Sequence, residues 1–157
     1  MTRREGASVS AITETDLGDL RLVQVSAVMD MGDIATKLPA MFDRVAAALA
    51  AAGSPRTGPG IAHYTVHGER TMVGAAEQVA GRTPEGLHAE VLPVVHHALA
   101  LRYDAPDLDG MPAAWQELLA EVQRRGLTPT GTFREVYRQI PQDGYDRWLV
   151  DLQQPVR

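Results

Sequence analysis

Apolar and polar positions alternate in a way that marks out nine segments of this chain. Residues 20–29 (LRLVQVSAVM) form a Leu/Val-rich run between polar stretches and predict a strand. Gly32 and Asp33 open a helical stretch with Asp33 as N-cap, and Pro39 marks the start of the main helix, because proline is tolerated in a first turn. Leu38, Phe42, Val45, Ala46 and Leu49 then fall at i, i+4, i+7, i+8 and i+11, one face of a helix that Gly53 closes. A loop at 54–60 leads to strands at 61–66 and 71–79, joined by a turn at 67–70. After a polar connector at 81–86, strand character resumes at 88–92 and 94–103. A second helix follows 106–110, with Met111, Trp115, Leu118, Leu119 and Val122 on its apolar face and Gly126 as its cap. Strands at 133–137 and 147–156, separated by a long turn at 139–144, complete the chain. Residues 1–16 are small and polar and read as a loose tail ahead of a single domain at 17–157.

The two helical segments belong to a repeat. Gly53 to Tyr64 (GSPRTGPGIAHY) and Gly126 to Tyr137 (GLTPTGTFREVY) lie 73 residues apart (126 − 53 = 73). At that offset Pro39 matches Pro112, Ala40 matches Ala113, Thr57 matches Thr130, Gly58 matches Gly131 and Tyr64 matches Tyr137. Apolar positions agree as well: Leu38 with Met111, Phe42 with Trp115, Val45 with Leu118, Leu49 with Val122. A 73-residue period exceeds the ~20–50 residues of a solenoid repeat. It implies a duplicated half-domain, β-α-β-β in each copy, over about 20–80 and about 88–156. The expected class is α+β, with two helices on one face of an antiparallel sheet, the other face left for solvent or ligand, and a groove between pseudo-symmetric halves.

Composition narrows the chemistry. A formal net charge of −5 argues against nucleic acid as a partner, because phosphate binding needs a basic face. The absence of cysteine removes disulfides, thiolate metal sites and thiol nucleophiles. No apolar run reaches the ~18 residues of a membrane span, and residues 1–10 lack a signal-peptide core, so a cytoplasmic protein without membrane contact is expected. His63 and His67 lie roughly 13 Å apart along one strand, and His96 and His97 point opposite ways, so no metal site is expected. Nucleophile elbows, P-loops and dinucleotide fingerprints are all missing, and no cofactor is implied.

The strand Phe133-Arg134-Glu135-Val136-Tyr137 carries the candidate chemistry. With period two, Phe133, Glu135 and Tyr137 share a face. A carboxylate between two aromatic rings suits a cationic or polarised apolar ligand, the rings supplying area and cation–π attraction. Ala62 stands where the repeat would place a second Glu135, so the two halves differ in charge. Tyr64, Tyr137 and Trp148 are candidate walls of the groove. A binding module is the first reading. In the alternative, Glu135 buried among rings acts as general acid or base in a hydrolase; a third reading is an inhibitor of a protein partner.

The second half resembles a known family. The helix around Gln116-Glu117-Leu118, the stretch RRGLTPTGTFREVY and the ending DLQQPV are similar to the GyrI-like small-molecule-binding domain, which also forms the effector-binding part of MerR- and AraC-type multidrug regulators. Gly58 and Gly74 fit the family's first-half pattern. The resemblance spans about residues 20–156. It implies the duplicated SHS2-type fold, a strand glutamate at Glu135 that faces bound cations, and an acidic residue near the C-terminus at Asp151. The family's H-x-G-x-Y element is replaced by Arg102-Tyr103-Asp104-Ala105-Pro106, which makes Tyr103 a further candidate for the ligand site. No helix-turn-helix precedes the domain, so the resemblance is to a stand-alone form. Some stand-alone relatives resemble hydrolases of reactive cyclopropanoid natural products, while others sequester drugs.

Overall fold

The computed structural model describes residues 6–157. Its strands are β1 (Ser8–Val9), β2 (Thr13–Leu17), β3 (Leu20–Met29), β4 (Gly60–His67), β5 (Arg70–Glu77), β6 (His88–Leu92), β7 (Val95–Ala105), β8 (Thr132–Gln139) and β9 (Trp148–Pro155). The helices are α1 (Ile34–Ala52) and α2 (Met111–Arg124). The fold is α+β with antiparallel pairing, and the two β-α-β-β copies expected from the repeat are β3-α1-β4-β5 and β7-α2-β8-β9. The described residues form two compact units, one from residues 18–94 and one from residues 6–17 with 95–157.

In the unit of residues 18–94, β3 pairs with β5 and β6, and β5 pairs with β4. α1 packs on β3 and β5 through Met41, Val45 and Leu49. Ala46, expected on that face, is exposed, and Met41 takes its place in the buried stripe. α1 also begins at Ile34 rather than at Pro39. A 3-10 turn at Met31–Asp33 leads into it, and Ala35 and Pro39 both lie on its exposed side. There the carbonyl that loses its N–H partner to proline meets water. Asp33 occupies the N-cap without a capping hydrogen bond from its side chain. Gly74 in β5 is required by close approach: a Cβ there would lie 2.7 Å from His63 Cε1, closer still to Nε2, and 2.8 Å from Gln24 Oε1.

In the other unit, β7 pairs with β9, and β9 with β8. α2 covers one face of this sheet. Leu99, Leu101, Tyr103 and Ala105 from β7, Val150 and Leu152 from β9, and Met111, Ala114, Leu118 and Val122 from α2 form its core. Leu118 is fully buried, which contributes about 2 kcal/mol. Two expectations are corrected here. Of the tail expected at 1–16, residues 8–9 and 13–16 are not loose, since β1 and β2 pair with β7, and residues 1–5 lie outside the described residues. The strand at 88–92 does not join the second copy; it pairs with β3. Each unit thus takes an edge strand from the segment that precedes the other's first long strand.

The repeat survives as hydrogen bonds. Gly53 N–H donates to Ala50 O and Ser54 N–H to Leu49 O, while Gly126 N–H donates to Gln123 O and Leu127 N–H to Val122 O. Both glycines have left-handed φ, 61° and 70°. Further on, Thr57 N–H donates to Gln78 O in one copy and Thr130 N–H to Pro155 O in the other. The Thr-Gly loops therefore serve to tie each helix exit onto the end of the last strand of its own copy.

Candidate functional site

Glu135 sits in β8 opposite Leu152 of β9, which in turn lies opposite Leu101 of β7. This row faces α2, so Glu135 is on the helix-covered face rather than the face opposite. It is buried, at 8% exposure. Two neutral side chains are among those that hold its carboxylate. Trp115 Nε1 of α2 donates to Oε2 at 2.8 Å, and the Tyr137 hydroxyl donates to Oε1 at 2.7 Å. Both donors are neutral, so these bonds orient the carboxylate without cancelling its charge. Rings extend the cluster: Trp115 meets Phe133 edge-on with centroids 5.1 Å apart, and Tyr137 meets Trp148 edge-on at 6.2 Å. Phe133, Tyr137 and Trp148 are half-buried.

The arrangement follows from local rules. Alternation in β8 puts Phe133, Glu135 and Tyr137 on one side. The side chain of Trp115, one position after the buried Ala114, leans off the core stripe of α2 toward β8. A carboxylate next to hydrophobic rings in a poorly solvated setting exerts its charge at low effective dielectric.

The remaining candidates are placed differently. Tyr103 is fully buried, and its hydroxyl donates to Asp107 O at 2.7 Å and accepts from Gly110 N–H at 3.2 Å. Burial raises its pKa, the Gly110 N–H lowers it, and nearby Asp107 and Asp109 raise it again; the net shift is upward. It acts as a strut for the loop before α2. Tyr64 lies in the other unit, at the position in β4 equivalent to Tyr137, and is 3% exposed. Asp151 points to the face turned away from α2. Burial pushes its carboxyl up, but hydrogen bonds from Arg102 and Arg138, each at 2.8 Å, and their charges hold it below the usual range. His63 is buried and its Nε2 is hydrogen-bonded to Gln24 Oε1. Among the described residues no three His, Cys, Asp or Glu are grouped to hold a metal ion, and no helix is long and apolar enough to cross a membrane.

Trp115 was not legible as a site residue, since its spacing marks it as core. A signal existed in the repeat. At the 73-residue offset Ala62 is replaced by Glu135 and Phe42 by Trp115, so the copy with a carboxylate also has a helix ring with an N–H.

Neither a family model nor a curated protein matches the sequence. Solved structures do. The C-terminal domain of EcmrR superposes with a TM-score of 0.70 at 18% identity, covering 94% of this chain and 97% of that one. An integron cassette protein from the mobile metagenome of Vibrio cholerae gives 0.69 at 12% identity over 96% and 99%. SAV2435, in a structure bound to tetraphenylphosphonium, gives 0.60 at 12% identity over 94% of each chain. The chain has the fold of GyrI-like domains.

Proposed function

We propose that this GyrI-like domain binds a small hydrophobic organic cation at Glu135, with Phe133, Tyr137, Trp115 and Trp148 as the aromatic surround. The observation that carries this reading is the buried Glu135 carboxylate held by two neutral donors among edge-packed rings. A cation gains from an oriented charge at low dielectric and from ring faces. The fold shared with a protein seen bound to tetraphenylphosphonium supports it. Both carboxylate oxygens already accept hydrogen bonds, so a ligand competes with or supplements Trp115 and Tyr137. Trp115 fluorescence should therefore report binding.

A hydrolytic reading has one observation in its favour, the fold similarity to a hydrolase from Listeria innocua at a TM-score of 0.55 and 12% identity. One experiment addresses both. Tetraphenylphosphonium, triphenylphosphine oxide as a neutral analogue, and a panel of hydrophobic natural products are titrated into wild type and Glu135→Gln. Melting is followed, and recovered compounds are weighed by mass spectrometry. The binding reading expects the cation to raise the wild-type midpoint, the effect to be lost in Glu135→Gln, and the compound to return unchanged. Equal shifts in both proteins, or none, would overturn it. Recovery of a compound with one added water, dependent on Glu135, would establish the hydrolase instead.

A further inference from the structure

Arg134 precedes Glu135 in β8 and points to the other face, away from α2. It is 6% exposed. Its Nε donates to the Gln153 amide oxygen at 2.7 Å, and among the described residues no carboxylate pairs with it. Burial alone lowers its pKa from the ordinary arginine value. Asp151, a carboxylate on the same face in β9, is already committed to Arg102 and Arg138. Two guanidinium groups thus share the Asp151 carboxylate and Arg134 has none among the described residues, in a chain whose net charge is −5.

The fold does not demand a base there. Arg134 stands in the row Ala100–Gln153–Arg134, and the equivalent row of the other unit is Gln24–Ala76–Ile61. Ile61 fills the same position with hydrocarbon and is fully buried. A buried guanidinium with no counter-charge is strongly unfavourable, and proteins keep such groups where a partner supplies the charge. The donors left over have a definite shape. Guanidinium has five N–H groups in a planar fork, of which the Nε–H is used. Gln153 accepts with its carbonyl end, which leaves its amide –NH2 as a further donor. A planar carboxylate or a phosphate oxygen pair fits such a fork.

We propose that Arg134 and Gln153 form an oxyanion site on the face turned away from α2, separate from Glu135 and taking a carboxylate or a phosphate group. The reading does not depend on the cation site, because the two residues lie on opposite faces of the strand.

The test follows the arginine Nε–H resonances of 15N-labelled protein during titration with sodium phosphate and, separately, sodium acetate, at ionic strength held constant with sodium chloride. The Arg134 signal, assigned by its loss in Arg134→Met, should shift saturably with at least one anion; which one responds separates phosphate from carboxylate. In thermal melts the same anion should raise the wild-type midpoint saturably, and Arg134→Met should lose that rise. Arg134→Met should be no less stable than wild type without the anion, since it removes an uncompensated charge. If Arg134→Met fails to fold, Gln153→Leu supplies the comparison, with the anion-dependent rise expected to be reduced. An Arg134 signal unmoved by both anions, or melts that respond equally in wild type and variant, would overturn the proposal.

Discussion

The two copies place different chemistry on the same frame. In one, the row facing the helix is Val25–Ala75–Ala62; in the other it is Leu101–Leu152–Glu135. The helix ring above is Phe42 in the first and Trp115 in the second, at the same 73-residue offset. Tyr64 and Tyr137 follow at matching positions. Only the second copy offers a carboxylate both a helix donor and a strand tyrosine, because an indole has an N–H and a phenyl ring does not. The difference teaches that a buried charge is set by its neighbours' donors, not by its own strand.

The largest expected effect comes from forcing the charge into the copy that lacks its donor. Ala62 is fully buried, so Ala62→Glu should destabilise the protein by about 4 kcal/mol in urea denaturation, mainly through desolvation. Adding Phe42→Trp should recover part of that loss. Recovery by Phe42→Leu as well would break the comparison, since no donor is then involved.

A smaller effect is expected on the opposite face. Asp151 is matched in the other copy by Gly74, so its ion pairs belong to one copy alone. Asp151→Asn should cost about 2 kcal/mol at neutral pH, discounted because Arg102 and Arg138 are half-exposed. Its carboxyl is held low in the folded state, so its stabilisation is present above the unfolded value of about 3.9 and is lost as pH falls through the lower folded value. Wild type and Asp151→Asn should therefore converge in stability as the pH drops below about 4. A constant gap down the pH range would show that packing, not charge, is responsible.

The smallest effect should be the same in both copies. Gly53→Ala and Gly126→Ala each force an alanine into left-handed φ and should cost about 1 kcal/mol, equal within error. Unequal costs would mean that the two helix exits are not equivalent.

Much of this frame was readable from the residues. The helix stripes, the capping glycines and the alternation in β8 are short-range properties, and a chain reveals those directly. The repeat even showed where the halves diverge: the turn 68–69 is replaced by residues 141–146, and matched rows move from an offset of 73 (135 − 62) to 77 (152 − 75). What stayed hidden was long-range. The Trp115–Glu135 bond joins a helix to a strand 20 residues on, and spacing reports only that Trp115 is apolar and on the core side. Tyr103 stands where the family's H-x-G-x-Y element is replaced, and its hydroxyl is enclosed by a loop that only tertiary structure closes. β2 reads TETDL, a polar string whose strand character comes wholly from its pairing with β7.

That pairing has a consequence during synthesis. Leu17 of β2 lies opposite Val95, 78 residues later in the chain (95 − 17 = 78). At about 5–20 residues per second, a ribosome delivers the partner roughly 4–16 s after β2 is made. For that interval β2 has no β7 to pair with. A hydrophobic strand waiting so long would be a hazard on the polysome, where many nascent copies crowd together. Thr, Glu, Thr and Asp keep it harmless until β7 arrives, which is the same property that makes it pass for a tail.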